Sequence, residues 1–277
     1  MRCRLVKSLF KSMAQCGGLA LSAIISCDWL FLIPITFFTS FVSGVFGIGG
    51  GLLLIIIMSW MLSPMDLLFA HASVQLLSNF IRAYIHRNAI DLSFLKNFSV
   101  GILLGLIPAY FIFAHINMEQ LKPLLYVYGI LMMLVPAALM SRLFGKLPSL
   151  TIPTSVPLMG ALFGAIGPYL TPYFLSLGFS PAGFVATEAV ASVINHIVRL
   201  GIYFGSDRVS VHELSTSTLW LPLALFPSIY IGTRLAKAWV YRLESRTFFN
   251  WVRILVVLIC LCSLLFYFLG ERLKSNP

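Results

Sequence analysis

Acidic residues are scarce in this chain: nine stand against nineteen basic ones in 277, and all charged types together make up only 10%. A water-soluble domain of this length needs far more charge to cover its surface, so a soluble globular fold is excluded. The acids are scattered singly, and no HExxH, paired-aspartate or GxxxxGK pattern occurs. The glycine-rich stretch 47–51 lacks both the Lys-Ser/Thr ending and the strand context of a nucleotide site. No catalytic residue, metal or cofactor is therefore expected, and the chain does not read as an enzyme. Five cysteines, Cys3, Cys16, Cys27, Cys260 and Cys262, form no CxxC pair and no metal-ligand spacing, which leaves them as apolar filler.

What is abundant is apolar sequence, 59% of the chain. Apolar runs near twenty residues long recur, and each suits a helix crossing about 30 Å of hydrocarbon. The expected class is all-α: a polytopic membrane protein of about eight transmembrane helices. Net charge is +10, but the basic residues sit mainly at the ends of apolar runs. That pattern speaks of topology in a lipid bilayer and not of a nucleic-acid partner. The start, MRCRLVKSLFK followed by GGLALSAII and IISC, has the parts of a signal peptide ending at Cys27. Because apolar sequence resumes at Trp29, an extra helix or interfacial anchor is the preferred reading.

Breaker residues divide the rest. A helix over about 29–46 meets a glycine knot, FGIGGG (46–51), and a short apolar piece over about 52–62 stops at Ser63-Pro64. Helices follow at about 65–87, 95–115 and 121–143, then a polar linker, then apolar segments at about 156–178, 182–204, 218–240 and 248–269. The second half repeats the first. Shifted by 117 residues, FGIGGG falls on FGAIGP (163–168), Ser63-Pro64 on Ser180-Pro181, Ala72 on Ala189 and Arg82 on Arg199. With eight more residues of offset, Glu119 falls on Glu244. The organisation reads as an N-terminal segment 1–28, a first repeat 29–144, a linker 145–155, a second repeat 156–270 and a tail 271–277. If each knot is a re-entrant turn the repeats are inverted, and Arg82, Arg87, Lys96, Arg142, Lys146, Arg234, Lys237, Arg242, Arg246 and Arg253 gather on one face. If the knot interrupts a single crossing, this bias is slightly smaller.

A helix broken inside a bilayer is tolerated only where its freed main chain is buried in protein or faces water. The residues after the knot, Leu52 to Leu54, would open a half-helix whose first N–H groups lack partners and carry the positive dipole end. Gly49, Gly50 and Gly51, with Gly167 in the second copy, would let a small anion approach that backbone. The alternative is that these glycines serve only tight helix packing. Gly50→Leu is accordingly expected to abolish anion uptake while leaving the protein folded.

On the next helix His71, Gln75, Ser78 and Arg82 share one face, and the second copy offers Glu188, Ser192, Asn195 and Arg199, with Thr187 and His196 adjacent. Such polar stripes must face the bundle interior or water. Arg82 and Arg199 are candidates to neutralise an anion, or else lie at helix ends and snorkel to headgroups. Glu188, the only acid well inside an expected span, and His71 are candidates for coupling to protons or for static pairing.

SGVFGIGGGLLL (43–54), the Ser-Pro break and FAHASVQLLSN (69–79) resemble the first repeat of the sulfite exporter TauE/SafE family of membrane transporters. The second half resembles the second repeat of one branch, with its GP, VAT and HxxK/R elements at Gly167-Pro168, Val185-Ala186-Thr187 and His196 to Arg199. The resemblance covers roughly residues 30–270. It implies a multi-pass permease of the bacterial inner membrane for a small, sulfur-containing anion such as sulfite, a sulfonate or sulfoacetate. A passive anion channel and a membrane-embedded enzyme or assembly partner are the alternatives. Neither substrate, transport direction, coupling ion nor oligomeric state is legible from the sequence.

Overall fold

The computed structural model describes residues 27–206, 212, 214–239 and 245–275, and these hold eleven α-helices and no strand. In chain order they are α1 (Cys27–Phe46), α2 (Gly50–Met58), α3 (Pro64–Ile85), α4 (Leu92–His115), α5 (Met118–Leu134), α6 (Ala137–Phe144), α7 (Thr151–Phe163), α8 (Gly167–Ser176), α9 (Pro181–Gly205), α10 (Thr216–Trp239) and α11 (Ser245–Ser275). Among the described residues α4, α9 and α10 are long and apolar enough to cross a bilayer, and the bent pair α5–α6 makes up to four. Of the expected N-terminal segment 1–28, residues 1–26 lie outside the described residues, as do Arg242 and Glu244, while residues 27 and 28 open α1.

Several boundaries differ from the sequence expectation. The helix expected over 121–143 is two, because Pro136 cannot donate an N–H and restrains the residue before it. Half of the expected linker 145–155 is helical, since α7 starts at Thr151. The short apolar piece expected at 52–62 is α2, which starts two residues earlier and has nine residues, and the segment expected at 156–178 is broken at its knot, as expected, before the ten-residue α8. At 1.5 Å per residue these reach about 13–15 Å, half of a hydrocarbon core. The helix α2 is buried from Leu52 to Met58, as expected of a helix that is apolar on every face.

The same succession occurs at both breaks. A helix ends, α1 at Phe46 or α7 at Phe163, and the chain turns through a glycine with positive φ, Gly47 (72°) or Gly164 (73°). Only glycine takes that conformation without strain. A half-helix follows, and then Ser63 or Ser180 caps the next helix by accepting from the Asp66 or Gly183 N–H at 3.2 Å. Pro64 and Pro181, at the first helical position, need no acceptor there.

The helices pack crosswise. The first helix of one half lies on the fourth of the other, α1 on α10 and α7 on α4, while α3 lies on α9 and α5 on α11. Glycines allow the close approach. A Cβ on Gly105 would meet the Thr154 carbonyl oxygen at 1.9 Å, and one on Gly232 the Phe37 carbonyl oxygen at 2.5 Å. A set of polar side chains is buried beside an apolar core, and many large apolar side chains face outward. Leu103 and Ile107 of α4 are each 66% exposed, whereas Arg199 and Asn195 are fully buried. Such an exposed apolar surface suits a covering of lipid.

Gly105→Ala should lower the melting temperature in detergent, because its methyl has nowhere to go. Gly201→Ala, whose Cβ would meet nothing within 4 Å, should be neutral or stabilising by up to about 1 kcal/mol. Equal melting temperatures for the two variants would contradict the packing of α4 on α7.

Candidate functional site

Both breaks open onto one internal cavity. Its walls are the first break and half-helix start (Gly47 to Gly49, Gly51, Leu52), the second (Gly164 to Pro168), and side chains of α3 and α9. The space open to water-sized molecules is about 30 Å³, room for two or three waters or one compact solute of a few heavy atoms.

Main-chain donors are available at both half-helix starts. In α2 the first intrahelical bond runs from the Leu53 N–H to the Gly49 oxygen, so among the described residues the N–H groups of Gly50, Gly51 and Leu52 have no acceptor. The unpaired donors thus lie two residues earlier than the Leu52 to Leu54 expected from sequence, because the helix begins inside the glycines. In α8 the first bond is from Leu170 to Ile166, leaving the Gly167 and Tyr169 N–H groups unpaired.

The opposite polarity, the carbonyl ends of α1 and α7, is covered by arginine. Nη1 of Arg82 on α3 donates to the Ser43 and Gly47 oxygens at 3.0 and 3.2 Å. Nη1 of Arg199 on α9 donates to the Gly164 oxygen at 3.2 Å. Each guanidinium therefore sits at the negative end of a broken helix and supplies the donors its last carbonyls need. Neither snorkels: Arg82 is 3% exposed and Arg199 not at all.

The arginines are also cross-linked. Arg82 Nη2 donates to Asn79 Oδ1 at 2.6 Å and to Glu188 Oε2 of α9, an ion pair; Ser192 Oγ donates to Glu188 Oε1 at 2.7 Å. Arg199 Nη1 donates to Nδ1 of His71 on α3 at 3.0 Å, and its Nε donates to the Tyr203 hydroxyl. Since His71 Nδ1 accepts, its proton is on Nε2, which donates to the Gly51 oxygen at 3.0 Å. The imidazole is therefore neutral.

Of the residues singled out in the sequence, Gly49, Gly51, His71, Gln75, Arg82, Gly167, Glu188, Ser192 and His196 line the cavity. Gly50, Ser78, Thr187, Asn195 and Arg199 do not. Gly50 packs against α1: a Cβ there would lie 1.9 Å from the Thr39 oxygen. Gly50→Leu would thus disrupt the fold itself, contrary to the expectation of an inserted, intact variant. Thr187 accepts from the Asp91 N–H at 3.0 Å, tying α9 to the start of α4. Asn195 lies on Gly160 of α7, where a Cβ would be 2.2 Å from its Oδ1.

The lining stripe runs 71, 75, 79, 82 on α3 and 188, 192, 196 on α9, so Asn79 replaces Ser78 and His196 replaces Asn195 in both halves alike. Sequence reasoning noted Gly164 and the Phe-Gly doublet shared by both knots but did not place Gly47 or Gly164 at the site, and it missed Ser43. It also missed Tyr203, one turn beyond Arg199, which donates to the Ala161 oxygen at 2.9 Å, and Tyr128, which donates to the Ala165 oxygen at 2.7 Å.

The family model of the sulfite exporter TauE/SafE matches residues 32–267. The chain belongs to the sulfite exporter TauE/SafE family. The match spans both breaks, both stripes and every residue of the cavity. This is a family of membrane transporters of sulfur-related anions, and the long apolar helices fit a multi-pass membrane protein. Comparison with curated proteins and with solved structures returned no match.

In this TauE/SafE family member Arg199→Lys should be destabilising despite keeping the charge, since an ammonium does not reproduce a planar fork bonded to Gly164, His71 and Tyr203. The expected loss is about 1–3 kcal/mol, read by thermal unfolding of the purified protein. An unchanged unfolding transition would show that charge alone suffices there.

Proposed function

We propose that the chain carries a small sulfur-containing anion across the bacterial inner membrane by alternating access, binding it in the cavity between the two breaks. The observation that carries this reading is the electrostatic sense of the cavity. Unpaired main-chain N–H groups and the positive ends of two half-helices face it, while arginine covers the carbonyl ends of the neighbouring helices. Among the described residues the buried full charges are Arg82, Glu188 and Arg199, two positive and one negative. Hydrogen-bond donors on Arg82 Nε and Arg199 Nη2 remain without partners.

Two further features support a carrier. The cavity is compact, and its ion-paired side chains are almost fully buried, which suits an occluded site better than an open pore. Its size favours a compact anion such as sulfite over sulfoacetate. The two halves also read as a duplicated unit, 29–144 and 156–270. The crosswise packing maps onto itself when the halves are exchanged, and Gly105 on Thr154 corresponds to Gly232 on Phe37 in that exchange. A site between two such halves is the arrangement from which inverted-repeat carriers rock. On this reading Gly49, Gly51 and Gly167 present main chain to the anion, Gln75, Ser192 and His196 order its oxygens, and Arg82 and Arg199 set the charge.

The test is sulfite exchange in proteoliposomes. Saturable counterflow of labelled against unlabelled sulfite supports the carrier; non-saturable flux without counterflow assigns a channel; no flux overturns the reading. Gly167→Ala is the informative variant. Its Cβ would sit 3.5 Å from Ile48 and 3.6 Å from Glu188 Oε1, ordinary contacts, so the fold should survive while a methyl enters the cavity. Sulfite affinity should fall by roughly tenfold or more, the loss of about one good contact, with melting temperature unchanged.

A further inference from the structure

The two halves of the cavity differ at several equivalent positions, and one of these pairs faces the arginines. Under the 117-residue shift Arg82 corresponds to Arg199, and His71 to Glu188. Each arginine reaches the other half's residue at that position. Arg199 meets a neutral imidazole acceptor, whereas Arg82 meets a carboxylate. The cavity therefore contains a tethered anion of its own, held by Arg82 and by the Ser192 hydroxyl.

We infer that Glu188 is a built-in competitor for the transported anion and that a proton displaces it, which makes the proton the coupling ion. This rests on reading the cavity as an anion site. Two negative groups in so small and poorly solvated a space repel strongly, so an anion and ionised Glu188 exclude each other. One proton from the aqueous phase adds to Glu188 Oε2, the ion pair opens, and the Arg82 guanidinium becomes free to pair with the entering anion. On the far side the anion leaves, Glu188 returns its proton to water and the ion pair closes. One proton and one anion thus cross together, in whichever direction their gradients dictate, and by linkage each raises the affinity for the other.

Among the titratable groups around the cavity Glu188 is the one ion-paired to Arg82; His196, whose Nδ1 has no partner, also lines the cavity, and His86, whose Nε2 has none, lies beside Arg82. From α3 Glu188 faces Arg82, with His71 bonded to Gly51 and Arg199; from its own helix come His196 and Arg199. From the packed neighbours, α7 carries no titratable residue, Tyr169 and Tyr173 of α8 bond Ser155 and the Ser149 oxygen, and Asp91 at the start of α4 accepts from the Phe94 N–H. Lys96 and Arg87 are exposed.

The test is sulfite binding to the purified full chain, wild type and Glu188→Gln, by titration calorimetry from pH 6 to pH 8. Sulfite itself titrates in this range, but identically for every protein, so its effect cancels in the ratio of affinities. Gln mimics the protonated acid. Glu188→Gln should bind about tenfold tighter than wild type at the alkaline end, with the ratio shrinking as pH falls. A ratio that does not change with pH, or weaker binding by Glu188→Gln, overturns the proton coupling and leaves the anion site standing. Failure of all proteins to bind sulfite overturns both. Ser192→Ala guards against a variant that does not fold: it removes a donor to the ionised carboxylate, so the rise in affinity should begin at higher pH than in wild type. An unshifted curve for Ser192→Ala counts against the proposal.

Discussion

The structure depends on a guanidinium group placed at the carbonyl end of each broken helix. A helix interrupted in a bilayer exposes donors on one side of the gap and acceptors on the other, and with both ends equally bare their fields would largely cancel. Arg82 on the Ser43 and Gly47 oxygens, and Arg199 on the Gly164 oxygen, remove the acceptors from that balance. What remains facing the cavity is the donor end of α2 and of α8. The arginines thus make a break in the main chain tolerable to the fold while leaving its donor side uncovered.

That arrangement requires two halves that interlock. Neither arginine stands on the helix it covers: α3 serves the end of α1, and α9 the end of α7. Each also reaches into the opposite half, to Glu188 or to His71. Crosswise packing of α1 on α10 and α7 on α4, through glycines backed by main-chain oxygens, holds the half-helices against one another without filling the space between them. A shift of one half relative to the other would move both ends of the Arg82–Glu188 pair apart, so the ion pair joins the charge state of the cavity to the relation of the halves.

Much of this was legible in the sequence because glycine and proline act locally. The knots at 46–51 and 163–168, the Ser-Pro caps at 63 and 180 and the polar stripes follow from residue type and spacing alone. What spacing does not give is the identity of the facing element. Ser78 and Asn79, or Asn195 and His196, lie about 100° apart on a helix, and only the neighbours decide which of them meets the cavity. Gly50 and Gly51 look alike in sequence, yet one is pressed against the Thr39 carbonyl and the other lines the site. The Arg82–Glu188 pair joins residues 106 positions apart, beyond the reach of any local pattern.

The choice of arginine at both positions follows from the number of acceptors that must be met at once. Arg199 satisfies Gly164 at the break, His71 on α3 and Tyr203 on its own helix, and Tyr203 passes a further bond to Ala161. A lysine offers three donors from one point and reaches one such cluster; a planar fork reaches acceptors on separate elements. Because these bonds fix His71 as a neutral acceptor, Arg199 behind the cavity wall has no acidic partner among the described residues, while Arg82 is balanced by Glu188. Histidine at 71 against glutamate at 188 accounts for the difference in the arginines' partners, while Gln75 against Ser192 and Asn79 against His196 add to the asymmetry of the lining.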